Sequence, residues 1–416
     1  MILPENPDSP VWAREDAFPD SPSGWGWVDA KKNSHPCASL AALTTAIRDD
    51  RDASVTLVWA PGHPKMIVPE ELEGMGDALR AARTRWTQDD LANTAHKLRW
   101  FGMVLLGLSV FSFYSGWTHA GKIAAASGVQ IDAFQCFQVA LRTVLGSTQV
   151  GLALLLFVIF AFIPWYQARK RGKQLGKWTE AGIAEAVPTI RFETWLERQK
   201  APFTKIFLGL IALVGLVQLL PSDALAAAGL VKENYHHGEW WRLLTAPFLH
   251  GNIVHFLMNI AALLYLGKRL EVFARWPHLP LVFLFAAIVG GEASARFVAA
   301  PSVGASGGLM GWLGFLLVFE TLHQGLVPRT ARRRLAAGVA VTALIGVIGY
   351  RYIDNAAHAG GLAAGMLYAL IVFPSSSSPH RPRSTLTDRI AGSAALAVLV
   401  AATALAAWRI SMGNPG

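Results

Sequence analysis

The sequence predicts an all-α polytopic membrane protein with a small soluble α/β domain at its N-terminus. The first observation is composition: of the 416 residues, 53% are hydrophobic and only 16% are charged, whereas soluble domains carry about 25% charged residues. The second is a series of nine apolar stretches, each close to the roughly 17–25 residues that a membrane-spanning helix needs. The third is that loops rich and poor in Lys and Arg alternate between these stretches, as the positive-inside rule requires.

The first region, residues 1–95, is polar and mixed, and we expect it to form the cytosolic α/β domain. The stretch CASLAALTTAIRDD is typical of a short amphipathic helix, and ASVTLVWAPGHPKMIVPEE of two strands joined by a Pro-Gly-His-Pro turn. EGMGDALRAARTRW then predicts a helix that leads towards the membrane. The first residues lack a basic segment followed by an apolar core, so we expect no cleavable signal peptide.

The predicted spans fall into three groups separated by linkers. Residues 96–170 hold two additional spans, near 99–117 and 147–166, and residues 171–202 form a strongly basic cytosolic linker. The Pro/Ser-rich residues 374–389 predict a flexible linker before an additional C-terminal span at 390–410. The core at 203–373 holds six predicted spans, near 203–221, 250–267, 277–294, 304–322, 334–350 and 355–373.

Charged loops set the predicted orientation. The loops GKRLEVFARW, HQGLVPRTARRR and HRPRSTLTDR are rich in Lys and Arg and are expected in the cytosol, which puts the N-terminus inside and the C-terminus outside. A bacterial inner membrane is the expected location. The same loops account for the net charge of +9, so nucleic-acid binding is not expected. Cys37 and Cys136 fall on opposite sides of the membrane, so we expect no disulfide, and the sequence indicates neither a metal site nor a cofactor.

Polar residues recur at one depth in the core. Its second, fourth and sixth spans begin on the outer side, and each carries polar side chains within its first turns. Polar groups inside a membrane are rare and usually face the interior of the helix bundle. These residues are His250, His255 and Asn259 on the second span, Ser306 on the fourth, and Asp354, Asn355 and His358 on the sixth.

This set supports a serine nucleophile. A serine hydroxyl needs an adjacent base to take its proton, and His358 lies at the depth of Ser306. His255 and Asn259 are four residues apart, so they share one helix face and can donate to a developing oxyanion. Asp354 lies one turn before His358 and could form a catalytic triad with it and Ser306. An aspartate at a helix start is also favoured as an N-cap and by the helix dipole, and we favour the N-cap role.

Each residue also has a structural interpretation. Taken alone, Ser306 could bond to its own backbone and His358 could be a packing residue. His255 and Asn259 could hold helices together, and His250 could brace a loop. The shared depth of all these residues on alternate spans favours the catalytic interpretation.

Glycines predict that the serine and histidine helices approach closely. Small residues at three- and four-residue spacing let helix backbones meet in lipid. The fourth span carries such a ridge and the sixth a GxxxG pair: Gly304, Gly308, Gly311 and Gly314, and Gly361 and Gly365.

At this point the chain resembles the rhomboid family of intramembrane serine proteases. The matching motifs, within residues 200–373, are EWWRLLTAPFLHGNIVHFLMNIAALLYLG, GASGG and AHAGGLAAG, in the family's order. The resemblance implies that Ser306 is the nucleophile and His358 its general base, in a dyad without a carboxylate. It also implies an oxyanion hole from His255 and Asn259 with the backbone of Ser306.

The resemblance implies structural roles for further residues and names the partners. It implies that Trp241 and Arg242 form a structural pair in the first outer loop. It also implies that Glu271 links helices near the cytosolic side. The implied partners are the lipid bilayer and transmembrane protein substrates, cleaved near the outer membrane face; the oligomeric state is open. The supporting residues are Trp241, Arg242, Glu271, His250, Gly304, Gly307, Gly361 and Gly365.

One departure from the family pattern concerns the base. Many bacterial members carry an aromatic residue four positions after the serine, where this chain has Met310. Methionine can pack against an imidazole, so we expect activity with a less tightly held base. The alternatives are a non-catalytic binder or chaperone with the same fold and, less favoured, a transporter, which predicts internal repeats and buried charges along a path.

Overall fold

The computed structural model describes residues 9–50, 54–128, 130–175, 179–220 and 223–413. Within them the chain forms two compact units. One unit contains the described residues up to Ala17, residues Pro188–Ala340, and the described residues from Ile353 onwards; the other contains Phe18–Val187 and Val341–Tyr352. Residues 9–17, which the sequence assigned to the N-terminal domain, thus pack with the unit that holds the later helices. The remaining domain limits stay predictions.

The first part of the second unit is a three-stranded antiparallel sheet with one helix. The strands are β1 (Trp25–Asp29), β2 (Ser34–Cys37) and β3 (Val55–Trp59), in the order β2-β1-β3. Helix α1 (Leu40–Asp49) is capped by Ser39, whose hydroxyl accepts from the Ala42 N–H at 3.2 Å. Its apolar face, through Leu43 and Ile47, enters the domain core. The predicted helix and the first predicted strand, β3, are confirmed.

The predicted strand pair is wrong in its second member. After the Pro-Gly-His-Pro turn only Ile67 pairs with Val58, as an isolated bridge, because prolines on both sides remove backbone donors that a longer ladder needs. The partner of β3 is β1. Sequence reasoning missed β1 and β2 because GWGWVDAKKNSHPC mixes Gly, Lys, Asn and Pro, which are depleted in strands.

The two early spans lie in long helices of the second unit. Helix α2 (Gly76–Ser127) has 52 residues and joins the predicted approach helix to the first span without a break. Helix α3 (Ala133–Gly146) follows, and α4 (Thr148–Phe157) continues through a π-helical turn at Val158–Phe162 into α5 (Ile163–Leu175). We attribute the continuity of α2 to the absence of proline between its polar and apolar parts.

The remaining helices carry the predicted core. They are α6 (Glu180–Arg198), α7 (Pro202–Val217), α8 (Ala224–Ala228), α9 (Lys232–His236), α10 (Arg242–Thr245), α11 (Ile253–Ala274), α12 (His278–Phe297), α13 (Ser306–Leu322), α14 (Arg329–Ile348), α15 (Asn355–Val372) and α16 (Leu386–Ser411). Helix α6 replaces much of the predicted linker, since its Ala, Glu, Leu and Arg residues are good helix formers. It meets α7 at an angle of 64°.

Among the described residues, six helices are long and apolar enough to cross a membrane, or seven if the bent α6–α7 pair is one span. The chain is therefore an integral multi-pass membrane protein. All nine predicted spans coincide with helices, but three fail this length and composition criterion by themselves. Helix α7 has 16 residues and α13 has 17, and α14 carries four arginines near its start. At 1.5 Å per residue, α13 is about 26 Å long, short of the roughly 30 Å hydrocarbon core.

Buried polar contacts fix the core of the first unit. Arg269 and Glu320, both almost fully buried, form a two-bonded ion pair with N···O distances of 2.5 and 2.9 Å. Near the start of the chain, the Trp12 indole N–H donates to Leu326 O at 2.8 Å. The Arg191 guanidinium donates to Trp12 O at 3.3 Å and to Arg14 O at 2.7 Å. These contacts join the first described residues to the later helices.

Candidate functional site

Ser306 is the first residue of α13 and is half-buried. The turn before it depends on Gly304, whose φ of +120° favours glycine and whose N–H donates to Ala246 O at 3.0 Å. The first helical bond at this end runs from the Leu309 N–H to Ala305 O. The N–H groups of Ser306, Gly307 and Gly308 therefore have no acceptor in the helix and remain available to an anion.

The hydroxyl of Ser306 differs from those of other hydroxyl residues in these helices. Ser109, Thr321 and Thr403 each donate to the carbonyl four residues earlier, at 2.7, 2.7 and 2.8 Å. Ser306 cannot do so, because a residue at the start of a helix has no preceding helical turn. Its hydroxyl makes no hydrogen bond within the described residues, and the expectation of a satisfied serine does not apply.

The predicted oxyanion donors lie at the start of α11. Asn252 caps this helix, and its side-chain oxygen accepts from the His255 N–H at 2.9 Å. The His255 ring lies against Gly304: a Cβ there would be 2.5 Å from Cε1 and 2.8 Å from Nε2. The buried Asn259 amide donates to His255 O at 2.9 Å. One of its two N–H groups is thus engaged with its own helix.

His358 lies in the first turns of α15 and is half-buried. This helix contacts α13 backbone to backbone at the predicted glycines. A Cβ on Gly361 would be 2.1 Å from Gly307 O. The chain neighbours of Ser306 and His358 also meet, since a Cβ on Gly307 would be 3.7 Å from Ala357 O. Among the described residues, no hydrogen bond joins the Ser306 hydroxyl to the His358 ring; such bonds often form only when substrate binds.

Asp354 is the N-cap of α15, as favoured from the sequence. Its Oδ1 accepts from the Ala357 N–H at 2.9 Å. Its Oδ2 accepts from the hydroxyl of Ser294 and, at 2.5 Å, from that of Ser302. Burial raises the pKa of Asp354, but these hydrogen bonds outweigh it and the pKa is lowered overall. Within the described residues, no hydrogen bond joins this carboxylate to the His358 ring, so the hydrogen bonds favour the cap over a triad.

A buried lysine next to this aspartate was missed from the sequence. Lys232 in α9 is 7% exposed, and its Nζ donates to the Ser302 hydroxyl at 2.5 Å. Burial lowers the pKa of Lys232 to about 8, against the opposing attraction of Asp354. A cavity of about 50 Å³ is lined by Ser306, Ser302 and Asp354 among others. No local pattern marks Lys232, because its partners are at least 70 residues away.

The Trp-Arg pair has the supporting contacts expected of it. Arg242 is 2% exposed and donates to Gly229 O at 2.7 Å and to Ala226 O at 3.0 Å. The Trp241 ring centroid is 4.7 Å from the Arg242 Cζ. These bonds join α10 to the end of α8 and the residue that follows it.

Glu271 joins α11 to the start of α7. Its carboxylate accepts from the N–H groups of Phe203 and Thr204, at 3.1 and 2.8 Å, and from the Thr204 hydroxyl at 2.7 Å. It therefore caps α7 from α11.

His250 braces the loop that enters α11. The side-chain amide of Gln218 bonds to its backbone N–H and carbonyl, at 2.9 and 3.0 Å. The ring centroids of His250 and His255 are 5.3 Å apart. Met310, one turn after Ser306 on α13, is half-buried.

The family model and the relatives that match this chain are all rhomboid proteins. Residues 237–375 match the family model described as the rhomboid domain. Rhomboid protease GluP of Bacillus subtilis is 34% identical over 41% of this chain and 34% of its own length. RHOMBOID-like protein 4 of Arabidopsis thaliana is 36% identical over 34% of this chain and 36% of its own length. Inactive rhomboid protein 2 of Homo sapiens is 30% identical over 36% of this chain and 18% of its own length.

The chain thus spans about a third of the length of the first two relatives. The matched residues include α11 to α15 and with them every residue of the candidate site between His250 and Gly365. Residues 237–375 of the chain are thus similar to the rhomboid domain, and the chain is similar to curated rhomboid proteins over part of its length.

Proposed function

We propose that the protein is an intramembrane serine endopeptidase that cleaves transmembrane protein substrates through a dyad of Ser306 and His358. The observation that carries the proposal is the position of Ser306 and the lack of a hydrogen-bond partner for its hydroxyl among the described residues. Its hydroxyl has no hydrogen bond among the described residues, and it begins a helix whose first N–H groups are free. A nucleophile and an anion-binding helix end therefore coincide at one residue.

The proposed chemistry follows from the helices around Ser306. His358 takes the hydroxyl proton as the oxygen attacks the substrate carbonyl, and later returns it to the leaving amine. The oxyanion that forms is stabilised by the N–H groups at the start of α13 and by the side chains of His255 and Asn259. Loss of one such donor typically lowers the rate about 10²–10³-fold.

The close contact of α13 and α15 supports this pairing. The glycine positions leave no room for side chains between the two backbones, so the first turns that carry Ser306 and His358 are held at a fixed separation. A packed core permits few other arrangements. Rigid positioning of this kind is what a base and its nucleophile need.

The proposed substrates are helices that unwind near the outer membrane face. A helical peptide has its carbonyls engaged in internal hydrogen bonds, so small residues and locally unstable helices are preferred. The shortness of α13 supports a position of Ser306 below the membrane surface, and the charge of the loops supports assigning that side to the outside. The N-terminus is then cytosolic. Relatives include plant proteins, one of them named as mitochondrial, and the bacterial inner membrane stays a prediction.

The test is labelling of the purified protein by a fluorophosphonate probe, which reacts with activated serines. We expect labelling of the wild type and its loss in Ser306→Ala and His358→Ala. Ser109→Ala is the matched control, because Ser109 is a helical serine bonded to its own backbone at 2.7 Å. Cleavage of a reconstituted single-span peptide then measures the reaction itself.

The alternative is a non-catalytic binder of membrane proteins, and one human relative is named as inactive. A folded wild type that takes no label and cleaves no peptide would favour this alternative. Labelling that survives Ser306→Ala would also contradict the proposal, because another serine would then be the nucleophile.

A further inference from the structure

A basic cavity lies between the end of α13 and the first turns of α14. Its volume is about 490 Å³, ten times that of the cavity beside Ser306, at about 50 Å³. Three arginines, Arg329, Arg332 and Arg333, line it together with apolar residues such as Leu317 and Leu335. The cavity is thus part basic and part apolar.

The acidic residue in the lining accepts its hydrogen bonds from a different arginine. Glu320 lines the cavity, but both its oxygens accept from Arg269, at 2.5 and 2.9 Å. The nearby Glu193 lies 3.6 Å from Arg334, which is not part of the lining. Within the described residues, none of the three lining guanidinium groups makes an ion pair or a side-chain hydrogen bond.

One of the arginines has a buried donor without a partner. The Nε of Arg332 is shielded from solvent and bonds to nothing among the described residues. Leaving a charged donor buried and unsatisfied is costly. The cost is increased by the position of these arginines at the start of a 20-residue helix, where the helix dipole is also positive. An anion in the cavity would offset the uncompensated positive charge of the guanidinium group and of the helix start.

The position of the cavity indicates which anion. The arginines belong to HQGLVPRTARRR, one of the loops expected in the cytosol, at the level where phospholipid headgroups meet the hydrocarbon. Basic pockets between membrane helices on the cytoplasmic side suit anionic headgroups, and guanidinium groups bind phosphate through paired N–H donors. The apolar residues in the same lining suit the start of an acyl chain.

We propose that this cavity binds the phosphodiester headgroup of an anionic phospholipid. Arg332 contacts the phosphate through the part of its guanidinium group that faces the cavity, and Arg329 and Arg333 supply the surrounding positive charge. Leu317 and Leu335 contact the glycerol and the first methylenes of the chain. The site is separate from Ser306, and the proposal does not depend on the chain being a protease.

The experiment is native mass spectrometry of the full chain in a neutral detergent, titrated with short-chain phosphatidylglycerol. Phosphatidylcholine of the same chain length tests for the anionic headgroup, and inorganic phosphate tests for a free anion. The variant is Arg332→Gln, and the matched control is Arg334→Gln, which removes the same charge from the same helix outside the cavity. Thermal unfolding of each variant checks that it is folded.

We expect phosphatidylglycerol to bind more tightly than either competitor, with affinity about tenfold lower in Arg332→Gln and less than about twofold lower in Arg334→Gln, as for one charge-assisted contact. Equal losses in the two variants would overturn the site, since bulk charge would then explain binding. Equal affinity for phosphatidylcholine would overturn the anionic headgroup. Binding of inorganic phosphate as tight as that of the lipid would overturn a lipid as the ligand.

Discussion

Replacing Gly365 by alanine puts a methyl group into the backbone contact between α13 and α15. The new Cβ would lie 1.9 Å from Gly311 O and 2.8 Å from Gly311 Cα. These are backbone atoms of a buried helix, and they cannot rotate away. To restore an ordinary contact of about 3.4 Å, the two helices must separate locally by about 1.5 Å. Overpacking of this kind typically costs about 1–3 kcal/mol.

The same displacement affects the proposed dyad. His358 lies two turns before Gly365 on α15, so a shift of that helix moves the base away from Ser306. Misplacement by 1 Å can lower a rate about 10²-fold. We therefore expect fluorophosphonate labelling and peptide cleavage by Gly365→Ala to fall at least about 100-fold, with a lower unfolding temperature.

The control is Gly209→Ala in α7, where an added Cβ meets nothing within 4 Å. It should keep its rates within about twofold, because alanine is a better helix former than glycine and creates no clash. Circular dichroism establishes that both variants remain helical. A folded Gly365→Ala protein that reacts at the wild-type rate would refute the reasoning, since the dyad would then not depend on this helix contact.

Three further predictions concern buried charges. Because burial lowers the pKa of Lys232 from its usual 10.5 to about 8, the unfolded chain binds more protons than the folded protein between these values. The free energy of unfolding should thus rise with pH across that window, by up to about 3 kcal/mol. The melting temperature of Lys232→Met should not show this rise, and a variant whose melting temperature rises with pH in parallel with that of the wild type would contradict the prediction. Arg269→Leu leaves Glu320 buried without its partner and should lose about 3–5 kcal/mol; the double variant with Glu320→Leu should recover part of it, and a double variant less stable than the single would argue against the pair. Glu271→Ala leaves three donors at the start of α7 unsatisfied and should lose at least about 1–3 kcal/mol, with Glu271→Gln losing less; equal melting temperatures of Glu271→Ala and wild type would exclude this role.

The parts of the fold that local patterns encode could be predicted. Long apolar runs gave the positions of the helices, and the glycine spacing indicated the contact of α13 with α15. Asp354 could be assigned as a cap because capping is a local preference at a helix start. Three predicted spans do not meet the length and composition criterion for a membrane-spanning helix. Two of them are too short, such as α13 with 17 residues, and the third carries too many charges.

Contacts between distant residues could not be predicted in this way. Arg269 and Glu320 are 51 residues apart, and each alone resembles a loop or interface charge. Lys232 and Ser302 are 70 residues apart. Such pairs leave no periodic signal, because their partners are set by how the helices pack. The sequence also could not indicate that Asn259 bonds to its own helix, or that the Ser306 hydroxyl has no hydrogen bond within the part of the chain that the structure describes.

The contacts of Trp12 have a practical consequence for anyone who wishes to isolate the rhomboid part. Its indole donates to Leu326 O, its carbonyl accepts from Arg191, and its ring packs edge-on against Phe192 at 5.9 Å. The unit around the candidate site is therefore discontinuous along the chain, with residues 18–187 inserted into it. A truncation that begins at residue 203 would remove Trp12, Arg191 and Phe192 and leave Leu326 O without its donor. A shorter protein would have to keep residues 9–17 and join them by a linker to residue 188.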